Sequence, residues 1–179
     1  MYYNLGASFL SFLVLFQFAS ANQERTKLMS IVGLSSNNSA SLDCNGFGTG
    51  FSVSEDGYIV TASHVTENSD QIRVTLKNGS TYVAKVIKEE HGLDLAILKI
   101  SAQTPEFLSV TGRTSGLGDD VYTIGYPDPE GLGFNQKFTK GSISSLTGLG
   151  ANSFNYQISV PIQPGNSGGA LVCEESGEV

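Results

Sequence analysis

Three residues of this 179-residue chain have side chains that, brought together, would perform nucleophilic chemistry: Ser167, His64 and Asp94. Ser167 lies in Pro164-Gly165-Asn166-Ser167-Gly168-Gly169. A serine hydroxyl is a weak nucleophile until a base takes its proton, and it must stand beside N–H groups able to bind the developing oxyanion. Glycines on both sides of the serine permit such a turn, because they adopt positive φ and let another backbone come close. On this reading the N–H groups of Gly165 and Ser167 form the oxyanion hole. His64 follows the apolar run YIVTAS, and an imidazole that titrates near neutrality is the natural base. Asp94 heads the strand-like run Asp94-Leu95-Ala96-Ile97-Leu98-Lys99-Ile100. A carboxylate in that position is costly to bury without a partner. A histidine N–H is such a partner, and the pairing would fix the imidazole tautomer and stabilise the imidazolium.

Each residue has a plainer reading when taken singly. GNSGG is then a glycine-rich turn, His64 a structural histidine at a strand end, and Asp94 a turn aspartate. The competing histidine, His91, sits in the charged turn KEEHGLD and reads as a solvated surface residue. Taken jointly, the order His, Asp, Ser and the three motifs TASHV, DLAILKI and GNSGGALVC favour one constellation.

Something must position these residues, and the chain offers strands. From Gly46 onward short β-like runs recur: GTGFSV, YIVTAS, IRVTL, TYVAKVI, LAILKI, VYTIGY, FTKGSIS, FNYQISV and GALVC. Turn signals separate them, among them Glu55-Asp56-Gly57 and Asn78-Gly79, the latter a strong hairpin signal. No long stretch keeps a helical period, so the pattern predicts an all-β sandwich or barrel. The composition breaks at Thr111 to Gly118, which would divide two β units of similar size. Hydrophobic residues make up 40% and charged residues 15%, a balance that suits a folded core and excludes a disordered tail. The net charge of -7 comes without any Lys/Arg patch, which argues against nucleic acid as a partner.

The motifs together resemble the trypsin-fold serine proteases. TASHV resembles that family's T-A-x-H, and GNSGGALV its G-D/N-S-G-G-x-L-V. The finer match is to the HtrA/Deg branch: GTGFSVSEDGYIVTASHV, DLAILKI, VYTIGYP and FTKGSIS each resemble a segment of it. The resemblance covers residues 46–179. It implies two Greek-key β-barrels, a Ser-His-Asp triad of Ser167, His64 and Asp94, and a serine endopeptidase acting on polypeptides, unfolded proteins included. It implies no cofactor and no metal. Residues 46–112 would form the first barrel and 113–179 the second. The family continues through further strands and commonly a PDZ domain, so the second barrel is expected to be truncated here. The alternative is a catalytically impaired or inactive module that binds exposed peptide strands.

Two departures from digestive trypsin-like enzymes bear on function. Asn166 stands where they carry an Asp that pairs with a new N-terminus, so activation by N-terminal cleavage is not expected. Pro161 stands six residues before Ser167, where the resemblance puts the base of the specificity pocket. An Arg or Lys of the substrate would meet no countercharge there.

Residues 1–21 read as a secretory leader. The apolar run Phe9 to Phe18 precedes Ala19-Ser20-Ala21, an A-x-A cleavage pattern, although no basic residue comes before the run. An uncleaved anchor is the alternative, and it would be the only reason to expect a membrane. Both readings place the domain outside the cytoplasm. Residues 22–45 read as a polar N-terminal arm. Cys44 and Cys173 are too few for a disulfide framework, and their spacing leaves a single bridge open. Nothing in the composition sets the oligomeric state.

Overall fold

The computed structural model describes residues 2–4, 13–15, 30–36, 44–67, 69–111, 114–126 and 136–175. Nearly all regular structure in them is β. Thirteen strands occur: β1 (Tyr2–Asn4), β2 (Leu13–Leu15), β3 (Ser30–Ser36), β4 (Cys44–Ser52), β5 (Tyr58–Thr61), β6 (Gln71–Thr75), β7 (Thr81–Glu90), β8 (Leu95–Lys99), β9 (Ser109–Thr111), β10 (Asp120–Gly125), β11 (Lys137–Ser145), β12 (Asn155–Ile158) and β13 (Leu171–Cys173). The one α-helix among the described residues, α1, is a single turn at Ser63–Thr66.

Six strands close a barrel in the order β3-β4-β5-β8-β7-β6. A five-stranded sheet follows the order β1-β12-β11-β10-β13. β2 and β9 pair separately. The all-β expectation holds, with one complete barrel and a partial second one.

Side-chain alternation explains the barrel. In β6 Ile72 and Val74 are buried between half-buried neighbours, and in β8 Ala96 and Leu98 repeat the pattern. Ile72, Val74 and Leu98 join Ile59, Leu76 and Ile100 in the barrel's interior. Asn78-Gly79 makes the expected turn between β6 and β7: Leu76 N–H donates to the Ser80 carbonyl at 2.8 Å, and Ser80 N–H donates to Asn78 Oδ1 at 2.9 Å.

A second core lies between the barrel and the sheet. Phe51 of β4 and Val60 of β5 pack there with Val121, Tyr122, Ile143 and Val172. Adjacent residues of β5 therefore serve different cores, Ile59 inside the barrel and Val60 against the sheet. Burying each such aliphatic side chain contributes about 1.5–3 kcal/mol, so this shared layer is what fastens the two units together.

The polar reading of residues 22–45 needs correction at Ser30–Ser36. This segment is β3, hydrogen-bonded to both β4 and β6, and it closes the barrel. Its Ile31-Val32-Gly33-Leu34 core has strand character that the serines and asparagines after it obscure. Of the leader-like segment, Tyr2–Asn4 pairs with β12 and Leu13–Leu15 with β9. The Ala19-Ser20-Ala21 pattern lies outside the described residues. Among the described residues no helix is long and apolar enough to cross a membrane.

Candidate active site

The β5–β8 ladder brings His64 and Asp94 together. Thr61 of β5 stands opposite Ala96 of β8. Running two residues past that pair in each chain direction sets Ser63 and His64 beside Asp94. β5 ends in α1, and its N-cap, Ala62, has no side chain able to bond the helix's first N–H groups. Asp94 does so from the turn that leads into β8. Its Oδ1 accepts the Ser63 hydroxyl at 3.0 Å and the His64 backbone N–H at 2.9 Å. Its Oδ2 lies 2.7 Å from His64 Nδ1. One carboxylate thus fixes both the backbone and the ring of the histidine.

Asp94 itself has φ of 53°, in the left-handed region that Asp tolerates better than most residues. The turn before it holds this conformation, with Asp94 N–H donating to the His91 carbonyl at 3.2 Å. At the other end of α1, Thr66 Oγ1 lies 2.8 Å from the Ser63 carbonyl and 2.6 Å from Glu89 Oε1, which ties the helix to β7. A neutral His64 donating from Nδ1 leaves the Nε2 lone pair free to accept a proton. The His64 side chain is 53% exposed and that of Asp94 33%, so the ring faces the surface while its carboxylate partner is more sheltered.

Ser167 lies in the loop from Ser159 to Ala170 that joins β12 to β13. Inside the loop, Asn166 N–H donates to the Gln163 carbonyl at 3.1 Å and Gly169 N–H to the Asn166 carbonyl at 3.0 Å. Asn166 is buried. Among the described residues neither the Gly165 nor the Ser167 N–H has an acceptor.

Gly168 seats this loop against the strand that leads to His64. Its φ is +82°. A Cβ there would run into Thr61 Oγ1 and the Thr49 carbonyl oxygen, and would stand 2.6 Å from the Ala62 nitrogen. Only glycine fits. The loop bearing Ser167 therefore rests on the segment that presents His64, although no hydrogen bond joins the Ser167 hydroxyl to the His64 ring.

Two further residues belong to the site, and reading the motifs did not single them out. Ser63, next to His64, donates to Asp94. Thr49, in the GTGF segment, donates its N–H to the Ser167 carbonyl at 2.8 Å and its hydroxyl to the Gly165 carbonyl at 2.7 Å. The signal for Ser63 was its place inside TASHV; for Thr49 it was a hydroxyl residue set between the two glycines of GTGF. Tyr126 N–H donates to Thr49 Oγ1 at 3.1 Å, and burial pushes the Tyr126 phenol above its usual range.

The remaining expected residues are placed simply. Pro161 is exposed, just past β12. His91 is exposed, its ring 3.9 Å from Glu89 Oε2, and only its backbone carbonyl touches Asp94. Cys173 is a buried free thiol in β13.

Residues 48–179 match the family model described as a trypsin-like peptidase domain. The chain is 40% identical over 134 residues to a probable periplasmic serine endoprotease, DegP-like, of Chlamydia trachomatis, covering 70% of this chain and 25% of that protein. It is 36% identical over 143 residues to the serine endoprotease DegS of Haemophilus influenzae, covering 76% of this chain and 41% of that one. The chain thus spans well under half the length of these curated relatives. Its fold is similar to the crystal structure of the serine endoprotease from Yersinia pestis, with a TM-score of 0.69 and 31% identity over 90% of this chain and 56% of that one.

Proposed function

The chain belongs to the trypsin-like peptidase family, and from that premise we propose that it is a serine endopeptidase of the HtrA/Deg kind that works through Ser167, His64 and Asp94. The observation that carries this reading is the Asp94 carboxylate, which holds the His64 ring at 2.7 Å and the His64 backbone at 2.9 Å.

In the proposed reaction His64 Nε2 takes the proton of Ser167 Oγ as that oxygen attacks the scissile carbonyl. The oxyanion of the tetrahedral intermediate is bound by the N–H groups of Gly165 and Ser167. Asp94 stabilises the imidazolium, which gives its proton to the departing amine. Water then repeats the sequence on the acyl-enzyme, with His64 as base again. On this reading the Ser167–His64 hydrogen bond forms when substrate binds, since catalytic hydrogen bonds often align only in the substrate complex.

Pro161 supports a specificity. With no carboxylate at that position, an Arg or Lys before the scissile bond would find no countercharge, and small or medium aliphatic residues are the proposed preference. A peptide-library profile dominated by Arg or Lys would refute that preference. The relatives named as periplasmic support an extracytoplasmic location, with residues 1–21 as leader or anchor. Residues 46–112 and 113–179 are proposed as the two barrel units, with β3 added to the first.

The missing Ser167–His64 hydrogen bond favours one rival, a module that binds peptide strands without cleaving them. A fluorophosphonate probe separates the two on the purified full chain. Stoichiometric labelling that Ser167→Ala removes supports the peptidase. A folded protein that binds peptide and never labels supports the rival.

A further inference from the structure

We propose that Thr49 is a positioning residue for the oxyanion hole, its hydroxyl acting across the junction of the two β units. The inference rests on the peptidase reading above and deepens it. Every hydrogen-bonding group of Thr49 is engaged, and each reaches a different part of the site. Its N–H donates to the Ser167 carbonyl at 2.8 Å. Its carbonyl accepts the Thr61 hydroxyl at 2.8 Å, three residues before His64. Its hydroxyl donates to the Gly165 carbonyl at 2.7 Å and accepts the Tyr126 N–H at 3.1 Å. The residue is 1% exposed, so water cannot replace any of these partners.

The hydroxyl does something the strand ladder cannot. The peptide joining Gly165 to Asn166 is gripped at both ends: Thr49 Oγ1 holds its carbonyl, and the Gln163 carbonyl accepts its N–H at 3.1 Å. Gly165 has φ of +96° and no side chain to lock it, so the fixed peptide plane after it is what limits its rotation. Two residues on, the Ser167 carbonyl is held by the same Thr49. The two N–H groups assigned to the oxyanion thus belong to residues whose carbonyls are both anchored on one side chain and its own backbone. Removing the hydroxyl would free the Gly165 end and leave the Ser167 end tied. The two donors would then lose their mutual geometry, a defect felt in the transition state more than in ground-state binding.

The test uses the full chain with Thr49→Val, which keeps the branched shape and loses the hydroxyl, and Thr49→Ser, which keeps the hydroxyl. Fluorophosphonate titration counts competent sites, and kcat and KM are expressed per titrated site. Thr49→Val is expected to lower kcat about 10- to 100-fold with KM within about twofold, and Thr49→Ser to restore kcat to within about threefold of wild type. A peptide aldehyde, whose bound form carries an oxyanion, should lose affinity in step with kcat. A purely structural role would lower Tm and the number of titratable sites while leaving kcat per site unchanged. That result, or a Thr49→Ser no better than Thr49→Val, overturns the proposal. Should Thr49→Val not fold, Thr49→Ala removes the same donor from a smaller side chain, and a wild-type kcat per titrated site for it overturns the proposal equally. A wild-type chain that neither labels nor hydrolyses removes the peptidase reading itself, whereas an active wild type with an equally active Thr49→Val removes only the role of Thr49.

Discussion

The two halves of the site are held in different ways. His64 and Asp94 sit at the ends of neighbouring strands of one closed barrel, and three bonds converge on a single carboxylate. Ser167 lies in a loop of the second sheet, and Thr49 of the barrel holds both its carbonyl and that of Gly165. The proposed base is built by one unit's ladder; the proposed nucleophile is also tied across the junction of the two units. Disturbing the junction should therefore damage the Ser167 half first.

The most severe way to separate the halves is chemical. Ser167→Ala should abolish labelling and lower kcat by on the order of 10⁶ with little change in melting. Labelling that survives would put the nucleophile elsewhere. Asp94→Asn tests the other half. An amide oxygen in place of Oδ1 can still accept from Ser63 and from the His64 N–H, so α1 should persist, while the ring loses its carboxylate. A fall in kcat of roughly 10⁴ is expected, and a loss under about tenfold would deny Asp94 its orienting role.

Gly168→Ala strikes the junction itself. The new methyl would press on Ala62 and Thr61, so a stability loss of more than about 2 kcal/mol is expected, with labelling reduced in the fraction that remains folded. Urea unfolding that matches wild type would show that the loop does not rest where the geometry has it. The smallest effect belongs to Gly79→Ala. Gly79 also has a positive φ, +83°, but no atom lies within 4 Å of its Cβ position. Only the backbone preference is lost, about 1 kcal/mol, and labelling should be unchanged. Equal damage from the two alanines would erase the distinction between a turn and a docking point.

Much of this was legible in the sequence, for physical reasons. YIVTAS and DLAILKI are apolar enough to be adjacent barrel strands, and once Thr61 faces Ala96 the meeting of His64 with Asp94 follows. GNSGG announced a turn with positive φ, and Gly165 and Gly168 both have it. What escaped was of two kinds. β3 was hidden because Ser30–Ser36 is polar at both ends and becomes a strand only by pairing with two neighbours. Thr49 and Ser63 were hidden because their work is hydrogen bonding to partners 116 and 31 residues away, which no local pattern encodes.

The double life of β5 has a consequence for how this molecule can be taken apart. Ile59 and Val60 are neighbours in the chain, yet one fills the barrel and the other seals it to the sheet. A barrel cut free of its companion would keep its topology and present Phe51 and Val60 to water as an adhesive stripe, prone to self-association. Swapping either half for that of a relative would meet the same seam, since the graft must match on both sides of a single strand at once. The unit that can be shuffled or inherited intact is thus the pair, even though only one member closes on itself.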